Sequence, residues 1–244
     1  MLQVEGVAVR FGGVQALNDV SLDVADGTLV GLIGPNGAGK TTLFNVITGL
    51  ERPGQGRVLL DGKDVTRLAP HRRARLGLGR TFQRIEVFSS LSVRDNVVAA
   101  AESRRSWAGD EPDPQRTASA LLDRVGLVEL AAEPVDKLST GHLRLVEVAR
   151  ALASRPSLLL LDEPGSGLDT TESEALGDLL VGLVAEGTSI LLVEHDVELV
   201  MRVCEQLFVL DFGQVIAQGT PEQVQRDPAV QAAYLGAQPN VVAQ

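Results

Sequence analysis

A glycine-rich segment of the sequence, GPNGAGKTT, places a lysine and two threonines directly after three glycines. It matches the pattern G-x-x-x-x-G-K-[ST], follows an apolar run typical of a strand and opens a helical pattern. Such glycines let backbone N–H groups turn inward around phosphates, the lysine reaches the β- and γ-phosphates, and the next hydroxyl binds Mg²⁺. The predicted nucleotide-binding residues are Gly34, Pro35, Asn36, Gly37, Ala38, Gly39, Lys40, Thr41 and Thr42, with Lys40 also a catalytic residue and Thr41 a metal ligand.

Two later apolar runs end in residues suited to acid–base and metal chemistry. SLLLLDEP ends in Asp162 and Glu163, and ILLVEHD ends in the segment that contains His195. Because ligands of an open α/β sheet bind at the carboxyl ends of its strands, these side chains should flank the phosphate loop. We expect Asp162 to hold Mg²⁺ through water and Glu163 to polarise an attacking water as general base. His195 is expected to bond the γ-phosphate or that water.

Two further segments carry candidates of weaker specificity. Gln83, in GRTFQR, has a neutral amide that can contact both Mg²⁺ and water without binding the metal tightly, which suits a sensor of the γ-phosphate. KLSTGHLRLVEVARAL predicts a helix whose start, at Ser139 and Gly141, leaves backbone N–H groups facing an anion. An ordinary capped helix is the alternative, since serine and threonine are preferred there in any case.

The elements that position these residues are those of an α/β protein. Alternation in the first 30 residues predicts strands, a helix follows from Lys40 and ends at Gly49, and RVLLDGKDV predicts a strand with a tight turn. Residues 90–150 are mostly helical in pattern, so we predict a helical subdomain inserted between strands of the main sheet. SLLLLD, a helix over 170–186 and TSILLV form a βαβ unit, and the chain closes with a hairpin and a helical tail.

Composition narrows the class of protein. The 244 residues include 22 Lys+Arg and 32 Asp+Glu, a net charge of −10 that argues against a nucleic-acid partner. The arginine-rich stretch RLAPHRRARLGLGRTFQR is interpreted as a solvated helix face rather than a binding patch. Cys204 lies among apolar residues and is expected to be a buried, inert thiol. We find no secretory signal and no apolar run of the roughly 18 residues that span a bilayer, and we expect a soluble, cytosolic chain.

The motifs together resemble the ATP-binding subunits of ABC transporters. A phosphate loop, a glutamine, an L-S-x-G helix start, an apolar strand ending in Asp-Glu, SGLD and a later histidine follow in that order. No Asn-Lys-x-Asp segment is present to read guanine, which also favours ATP. The resemblance covers residues 1–236 and leaves 237–244 as a C-terminal tail. GLGRTFQRIEVFSSLSVRDNV, LLVEHDVELVM and AYLG resemble, more narrowly, the branched-chain amino-acid importer ATPases, with lipopolysaccharide-export ATPases as the near alternative.

The resemblance implies a P-loop nucleotide-binding fold with a mostly parallel central sheet, an N-terminal antiparallel β subdomain and a helical subdomain, about 90–150, inserted before L-S-x-G. It implies head-to-tail dimers in which Ser139, Gly141 and His142 face the γ-phosphate of ATP held by a second ATP-binding subunit. Phe11 would stack on adenine, with a strand-end core aromatic as the equal alternative. The expected partners are transmembrane permease subunits and, indirectly, a solute-binding protein, with the chain peripheral at the cytoplasmic face of the inner membrane.

One position departs from the family pattern. His142 stands where the family usually has glutamine, in LSTGH. An imidazole still donates a hydrogen bond, but histidine ordinarily titrates near pH 6.5, so we expect weaker or pH-dependent hydrolysis rather than none. A non-catalytic nucleotide-binding subunit is the alternative that this departure supports, and intact Lys40, Glu163 and His195 oppose it. The substrate and the direction of transport are inferred from the resemblance alone. The resemblance leaves open whether the dimer contains two copies of this chain or one copy and a sister ATPase.

Overall fold

The computed structural model describes residues 1–109 and 112–236, so the predicted tail 237–244 lies outside the described residues. The strands are β1 (Leu2–Phe11), β2 (Val14–Val24), β3 (Leu29–Ile33), β4 (Gln55–Leu60), β5 (Lys63–Asp64), β6 (Leu78–Arg80), β7 (Leu158–Asp162), β8 (Ser189–Val193), β9 (Gln206–Asp211) and β10 (Gln214–Gly219). The helices are α1 (Lys40–Thr48), α2 (Pro70–Arg75), α3 (Val93–Ala108), α4 (Pro114–Arg124), α5 (Thr140–Ala153), α6 (Thr170–Ala185), α7 (Val197–Val203), α8 (Pro221–Gln225) and α9 (Pro228–Gly236).

The strands form two sheets. The N-terminal sheet is antiparallel, in the order β2-β1-β4-β5. The central sheet has the order β10-β9-β3-β8-β7-β6, and its strands are parallel except for the β9–β10 hairpin. The predicted fold class is therefore confirmed, including the antiparallel N-terminal sheet and the mostly parallel central one.

Side chains of the central sheet alternate between two hydrophobic cores, because successive residues of a strand point to opposite faces. On β7, Leu158 and Leu160 belong to the core that contains α1 and the antiparallel sheet. Leu159 and Leu161 belong to the core that contains α3, α5 and α6. Since both faces are covered, β7 and β8 are buried along their whole length, which explains their continuous apolar sequences.

The region predicted to be helical, 90–150, contains α3, α4 and most of α5. Ser92 caps α3 by accepting a hydrogen bond from the Asp95 amide at 3.0 Å. The boundaries of a separate helical subdomain remain a prediction. The predicted helical tail consists of two helices, because proline begins α8 and α9 and cannot continue a preceding helix.

The interpretation of the arginine-rich stretch as a solvated helix face is wrong for two of its residues. Arg73 is fully buried and donates to the carbonyl oxygens of Val46 and Ile47, each at 2.7 Å, so it caps the C-terminus of α1. Burial lowers the pKa of Arg73 to about 10. Arg80 lies on the edge strand β6, a strand that the sequence pattern did not predict. The remaining members, Arg67, Arg72, Arg75 and Arg84, are exposed.

None of the helices in the described residues combines the length and the apolar character that crossing a membrane requires.

Candidate active site

The phosphate-binding segment, residues 34–39, connects the end of β3 to the start of α1. Gly34 has φ +152°, and a Cβ at this position would lie 2.0 Å from the carbonyl oxygen of Leu210. Gly39 has φ +110°, and its Cβ would lie 2.7 Å from the carbonyl oxygen of Ala16. Both positions need glycine, since the loop adopts backbone conformations that L side chains rarely take and packs directly against neighbouring backbone.

Lys40 directs its charge into this loop. Its Nζ donates to the carbonyl oxygens of Gly34 at 2.6 Å and Pro35 at 3.0 Å, and the residue is only 7% exposed. Burial lowers the pKa of Lys40, and the nearby carboxylates of Glu163 and Asp162 oppose that shift. A buried ammonium group beside two carboxylates is matched to an anionic ligand such as a phosphate chain.

Asp162 ends β7 and is 2% exposed. Its backbone N–H donates to Thr81 Oγ1 at 3.1 Å, and its Oδ2 lies 3.5 Å from a guanidinium nitrogen of Arg80. Burial raises the pKa of Asp162, and Arg80 opposes that rise. Arg80 also donates to Asn45 Oδ1 at 2.7 Å and stacks over the Phe82 ring at 4.8 Å, so it is fixed beneath the carboxylate.

Glu163 and His195 meet at the carboxyl ends of β7 and β8. Glu163 Oε1 lies 2.9 Å from His195 Nε2 and 3.5 Å from Gln83 Nε2. The Glu163 N–H donates to the Val193 carbonyl at 2.8 Å, which ties the residue to the end of β8. Glu163 has φ +53°, a left-handed conformation that costs a non-glycine residue about 1–3 kcal/mol and that clusters at functional sites.

Most of the predicted site residues share one cavity of about 560 Å³, whereas His195 lines a neighbouring pocket and reaches this cavity through its contact with Glu163. Its lining combines the phosphate loop with the predicted catalytic and metal-binding side chains, and includes Asn36, Gly37, Ala38, Gly39, Lys40, Thr41, Thr42, Gln83, Asp162 and Glu163. Thr41 hydroxyl, Asp162 carboxylate and Gln83 amide oxygens are hard ligands. Mg²⁺ is usually bound by one or two carboxylates together with phosphate oxygens and waters, so the residues present fit that ion.

The L-S-x-G helix start lies apart from this cavity. Ser139 caps α5 by accepting from the His142 N–H at 3.1 Å. Gly141 packs on the segment that follows Glu163, where a Cβ would lie 2.6 Å from the Gly167 carbonyl oxygen. His142 Nε2 contacts Glu172 Oε1 of α6 at 3.2 Å. The structure therefore joins the helix start to the 165–169 segment of its own chain, and the exposed side of Ser139 faces away from the protein.

Comparison with known proteins identifies the family. A family model described as ABC transporter matches residues 17–166, and one described as branched-chain amino acid ATP-binding cassette transporter matches residues 214–239. The chain belongs to the ABC transporter ATP-binding family. This ABC protein is accordingly an ATP-binding subunit and an ATPase.

Curated relatives match along nearly the whole chain. A probable ABC transporter ATP-binding protein of Azorhizobium caulinodans is 42% identical over 95% of this chain and 81% of its own length. The high-affinity branched-chain amino acid transport ATP-binding protein LivG of Escherichia coli is 37% identical over 97% of this chain and 98% of its own length. The lipopolysaccharide export system ATP-binding protein LptB of Haemophilus influenzae is 37% identical over 98% of each chain.

Solved structures agree with the fold. An ATP-binding cassette of an ABC transporter in its ADP conformation superposes with a TM-score of 0.86 at 31% identity, covering 97% of this chain and 98% of that one. A dimeric cassette in a post-hydrolysis state, bound to ADP and Pi, gives a TM-score of 0.82 at 26% identity, covering 91% of this chain and 99% of that one. This ABC subunit is thus a nucleotide-binding cassette.

The two aromatic residues near the cavity are not equivalent. Phe11 is 49% exposed and lies outside both buried cores, but it is not among the residues that line the cavity. Its hairpin partner Val14 does line it. Phe212, in the turn between β9 and β10, is 88% exposed and also lines the cavity. No sequence pattern singled out Phe212, so the structure adds a second aromatic that could contact a nucleotide base.

Sequence analysis also missed the residues that hold the Gln83 segment. Arg144 of α5 donates to the Phe82 carbonyl oxygen at 2.7 Å and to the Gln83 carbonyl oxygen. Glu147, one turn later, pairs with Arg144 at 3.0 Å and accepts from the Glu86 N–H at 2.9 Å. Helix α5 therefore links the L-S-x-G start to the Gln83 segment. Charged residues within an amphipathic helix pattern gave no signal of this role, because the same spacing occurs on solvated helix faces.

Proposed function

We propose that this ABC ATPase energises an importer for branched-chain amino acids and hydrolyses ATP with Glu163 as general base. The observation that carries the catalytic part is the 2.9 Å contact between Glu163 and His195 at the edge of the cavity that contains Lys40. A carboxylate beside the γ-phosphate position can accept a proton from water as that water attacks phosphorus. His195 orients Glu163 and is exposed enough to reach the phosphate or the water.

The phosphate loop binds and orients the nucleotide. Backbone N–H groups of the loop donate to the phosphate oxygens, and Lys40 stabilises the charge that develops as the terminal phosphate is transferred. Bound Mg²⁺, held by Thr41 and Asp162 with Gln83 nearby, would supply further neutralisation of phosphate charge. Arg80 keeps the Asp162 carboxylate in place from below, and Gln83 senses the terminal phosphate because its amide already lies beside Glu163.

The second half of each ATP site comes from another subunit. The Ser139 hydroxyl oxygen accepts from the His142 amide, so its own proton remains available to an anion. The first amide to bond an intrahelical carbonyl is that of Leu143, which donates to Ser139, so the amides of Thr140 and Gly141 have no acceptor within the helix. A helix start of this kind binds phosphate. We place Ser139, Gly141 and His142 against the γ-phosphate held by the partner, and Phe11 against adenine.

The membrane components are separate polypeptides. We propose that permease subunits dock on the Gln83 segment and on the helical region 90–150, which α5 connects to the nucleotide sites through Arg144. The chain would then lie peripherally at the cytoplasmic face of the inner membrane, and a solute-binding protein would act on the opposite side. ATP bridges the two ATP-binding subunits, so its γ-phosphate adds affinity for the closed dimer alone and thereby drives the cycle.

The match of residues 214–239 to the branched-chain amino acid transporter model favours this substrate class. A second candidate, lipopolysaccharide export, is favoured by the 37% identity to LptB. Uptake of radiolabelled leucine by cells that carry the wild-type chain or Glu163→Gln separates the two. Loss of uptake in the variant supports the importer, whereas unchanged uptake with lipopolysaccharide missing from the cell surface supports export.

Glu163→Gln tests the mechanism, and the solution mass with and without Mg²⁺-ATP is the first measurement. We expect turnover to fall at least about 100-fold, because the amide cannot accept the proton. The mass should shift from 25.9 kDa to twice that value only with ATP, since the bridged dimer is no longer hydrolysed open. Wild-type turnover in Glu163→Gln would overturn the assignment of the base. A monomer that binds ATP but never pairs would overturn the homodimer and point to a sister ATPase.

A further inference from the structure

Glu194 is a buried carboxylate that none of the catalytic roles proposed above involves. It follows β8 directly, precedes His195 and is only 5% exposed. Its Oε1 accepts a hydrogen bond from the Gly165 N–H at 2.6 Å, and its Oε2 accepts one from the His195 N–H at 3.0 Å. One side chain therefore joins the segment after Glu163 to the segment that carries His195.

Pairing with a cation does not explain the burial of this carboxylate. Glutamate is almost never fully buried unless it is paired, and among the described residues no cation lies within salt-bridge distance of Glu194. Burial raises the pKa of the Glu194 carboxyl, while hydrogen bonds from the backbone of Gly165, His195 and Asp196 oppose the rise. The nearby charge of Glu163 disfavours ionisation as well. Backbone N–H groups are thus the partners that offset the cost of burying this group.

The two catalytic side chains need such a connection. Glu163 and His195 lie beyond the ends of β7 and β8, where the bond from the Glu163 N–H to the Val193 carbonyl oxygen is the last contact of the strand-pairing type. Glu163 holds a left-handed conformation, φ +53°, that its surroundings must maintain. Gly165 is close enough to the carboxylate that a Cβ there would lie 2.9 Å from Glu194 Oε1. The carboxylate therefore sets the spacing between the two segments.

We propose that Glu194 is a positioning residue for ATP hydrolysis, which holds the backbone of Gly165 and His195 together and so keeps Glu163 in contact with His195. The inference rests on the proposed catalytic roles of Glu163 and His195. Glu194 touches neither the nucleotide nor the attacking water in this scheme. Its effect is on the turnover number, and nucleotide binding at the phosphate loop does not depend on it.

Glu194→Gln removes one of the two backbone bonds at constant size. The amide oxygen can accept from only one N–H, and the NH₂ group then faces the other as a second donor. We expect kcat to fall about tenfold to a hundredfold, because small misplacement of catalytic groups has effects of this size. KM for ATP, ATP affinity and Tm should change little. Glu198→Gln, an exposed glutamate four residues later, is the matched control and should keep wild-type kcat.

Gly165→Ala approaches the same contact from the other side and guards against a folding defect in the first variant. Its methyl group displaces the carboxylate from the Gly165 N–H without a left-handed backbone conformation to strain. The same selective loss of kcat is expected. A fall in Tm together with a rise in KM in both variants would show a merely structural role and overturn the proposal.

A double variant isolates the route of the effect. If Glu194 acts by keeping Glu163 and His195 together, Glu194→Gln should reduce kcat less in the His195→Ala background than in the wild type. If the fold-losses of kcat in Glu194→Gln and His195→Ala instead multiply in the double variant, the two residues act independently, which would overturn the proposal. Glu163→Gln, measured in parallel, separates the two levels: wild-type turnover there would refute the proposed base itself, whereas loss of turnover there with wild-type kcat in Glu194→Gln refutes only the role of Glu194.

Discussion

The phosphate-loop region and the L-S-x-G helix start, which we propose as the two halves of an ATP site, differ in how they are built. Around the loop, Lys40 and Asp162 are 7% and 2% exposed, and each is held by contacts from other elements. At the helix start, Ser139 is exposed, and its recorded hydrogen bond is to its own helix. One half is assembled within the chain, whereas the other offers donors outward.

Under the proposed function, the difference indicates which half depends on a partner. Buried contacts fix the geometry of the phosphate loop before any ligand arrives, so binding there loses little conformational entropy. The helix start is fixed to the 165–169 segment of its own chain through Gly141 and to α6 through His142, and its donors have to find their anion elsewhere. A change in the first half should therefore affect nucleotide binding, and a change in the second should affect pairing of subunits.

Thiol accessibility gives the largest expected contrast. Cys204 packs beneath the β3 backbone at Gly31, and burial raises the pKa of its thiol to about 12. At pH 8 the thiolate fraction is on the order of 10⁻⁴, while a thiol in the Ser139→Cys variant is exposed and largely reactive. We expect iodoacetamide to modify position 139 at least about 1,000-fold faster than Cys204, as followed by peptide mass spectrometry.

ATP protection is a control for the labelling at position 139. In the Glu163→Gln background, Mg²⁺-ATP should protect the thiol at position 139, because a partner subunit then covers it.

Because folding raises the pKa of Cys204 above its ordinary value, its contribution to stability is full below about pH 9 and is lost as the pH rises toward 12. Labelling of Cys204 at pH 8 as fast as position 139 would contradict the burial on which the comparison rests.

Nucleotide binding and subunit pairing should separate in a second pair of variants. Lys40→Ala should weaken ATP binding about 100-fold, since it removes the buried charge that faces the phosphates. Gly141→Ala should leave ATP affinity of the isolated chain unchanged and weaken ATP-dependent pairing about tenfold, because its Cβ would lie 2.6 Å from the Gly167 carbonyl oxygen. Calorimetry gives the affinities and light scattering gives the pairing.

The opposite assignment of effects would break the comparison. Loss of ATP affinity in Gly141→Ala would mean that the helix start supports the site of its own chain. Ser106→Ala, an exposed change in α3, serves as a control for both measurements.

The smallest effect is expected at His142. A proton on the His142 ring would turn its 3.2 Å contact with Glu172 into a charged pair, which would fix the helix start more firmly. We expect His142→Gln to raise turnover about twofold to threefold at pH 8 and less at pH 6, measured by phosphate release. A turnover rate that is constant from pH 6 to pH 8 and unchanged by His142→Gln would contradict this prediction.

The sequence predicted most of the fold and part of the site. The phosphate loop, the bounds of α1, the strands β7 and β8 and the cap at Ser139 follow from local patterns, and the structure has them where they were expected. Gathering of Lys40, Asp162 and Glu163 around one cavity follows from the rule that ligands bind at the carboxyl ends of parallel strands, whereas Gln83 joins them through β6, a strand that was not predicted. The roles of these residues, and those of Ser139 and Phe11, stay predictions.

What the sequence by itself determined is therefore what neighbouring residues decide: strand and helix periodicity, caps, turns and the glycine pattern of a phosphate loop. Only the tertiary structure decided which charged residues are buried and what they hold. Arg73 caps a helix 26 residues earlier in the chain, Arg80 contacts Asp162 at a separation of 82 residues, and Glu194 accepts a hydrogen bond from Gly165 at a separation of 29 residues. In the sequence these are ordinary polar residues, because burial of a charge depends on partners that only folding brings within hydrogen-bond distance.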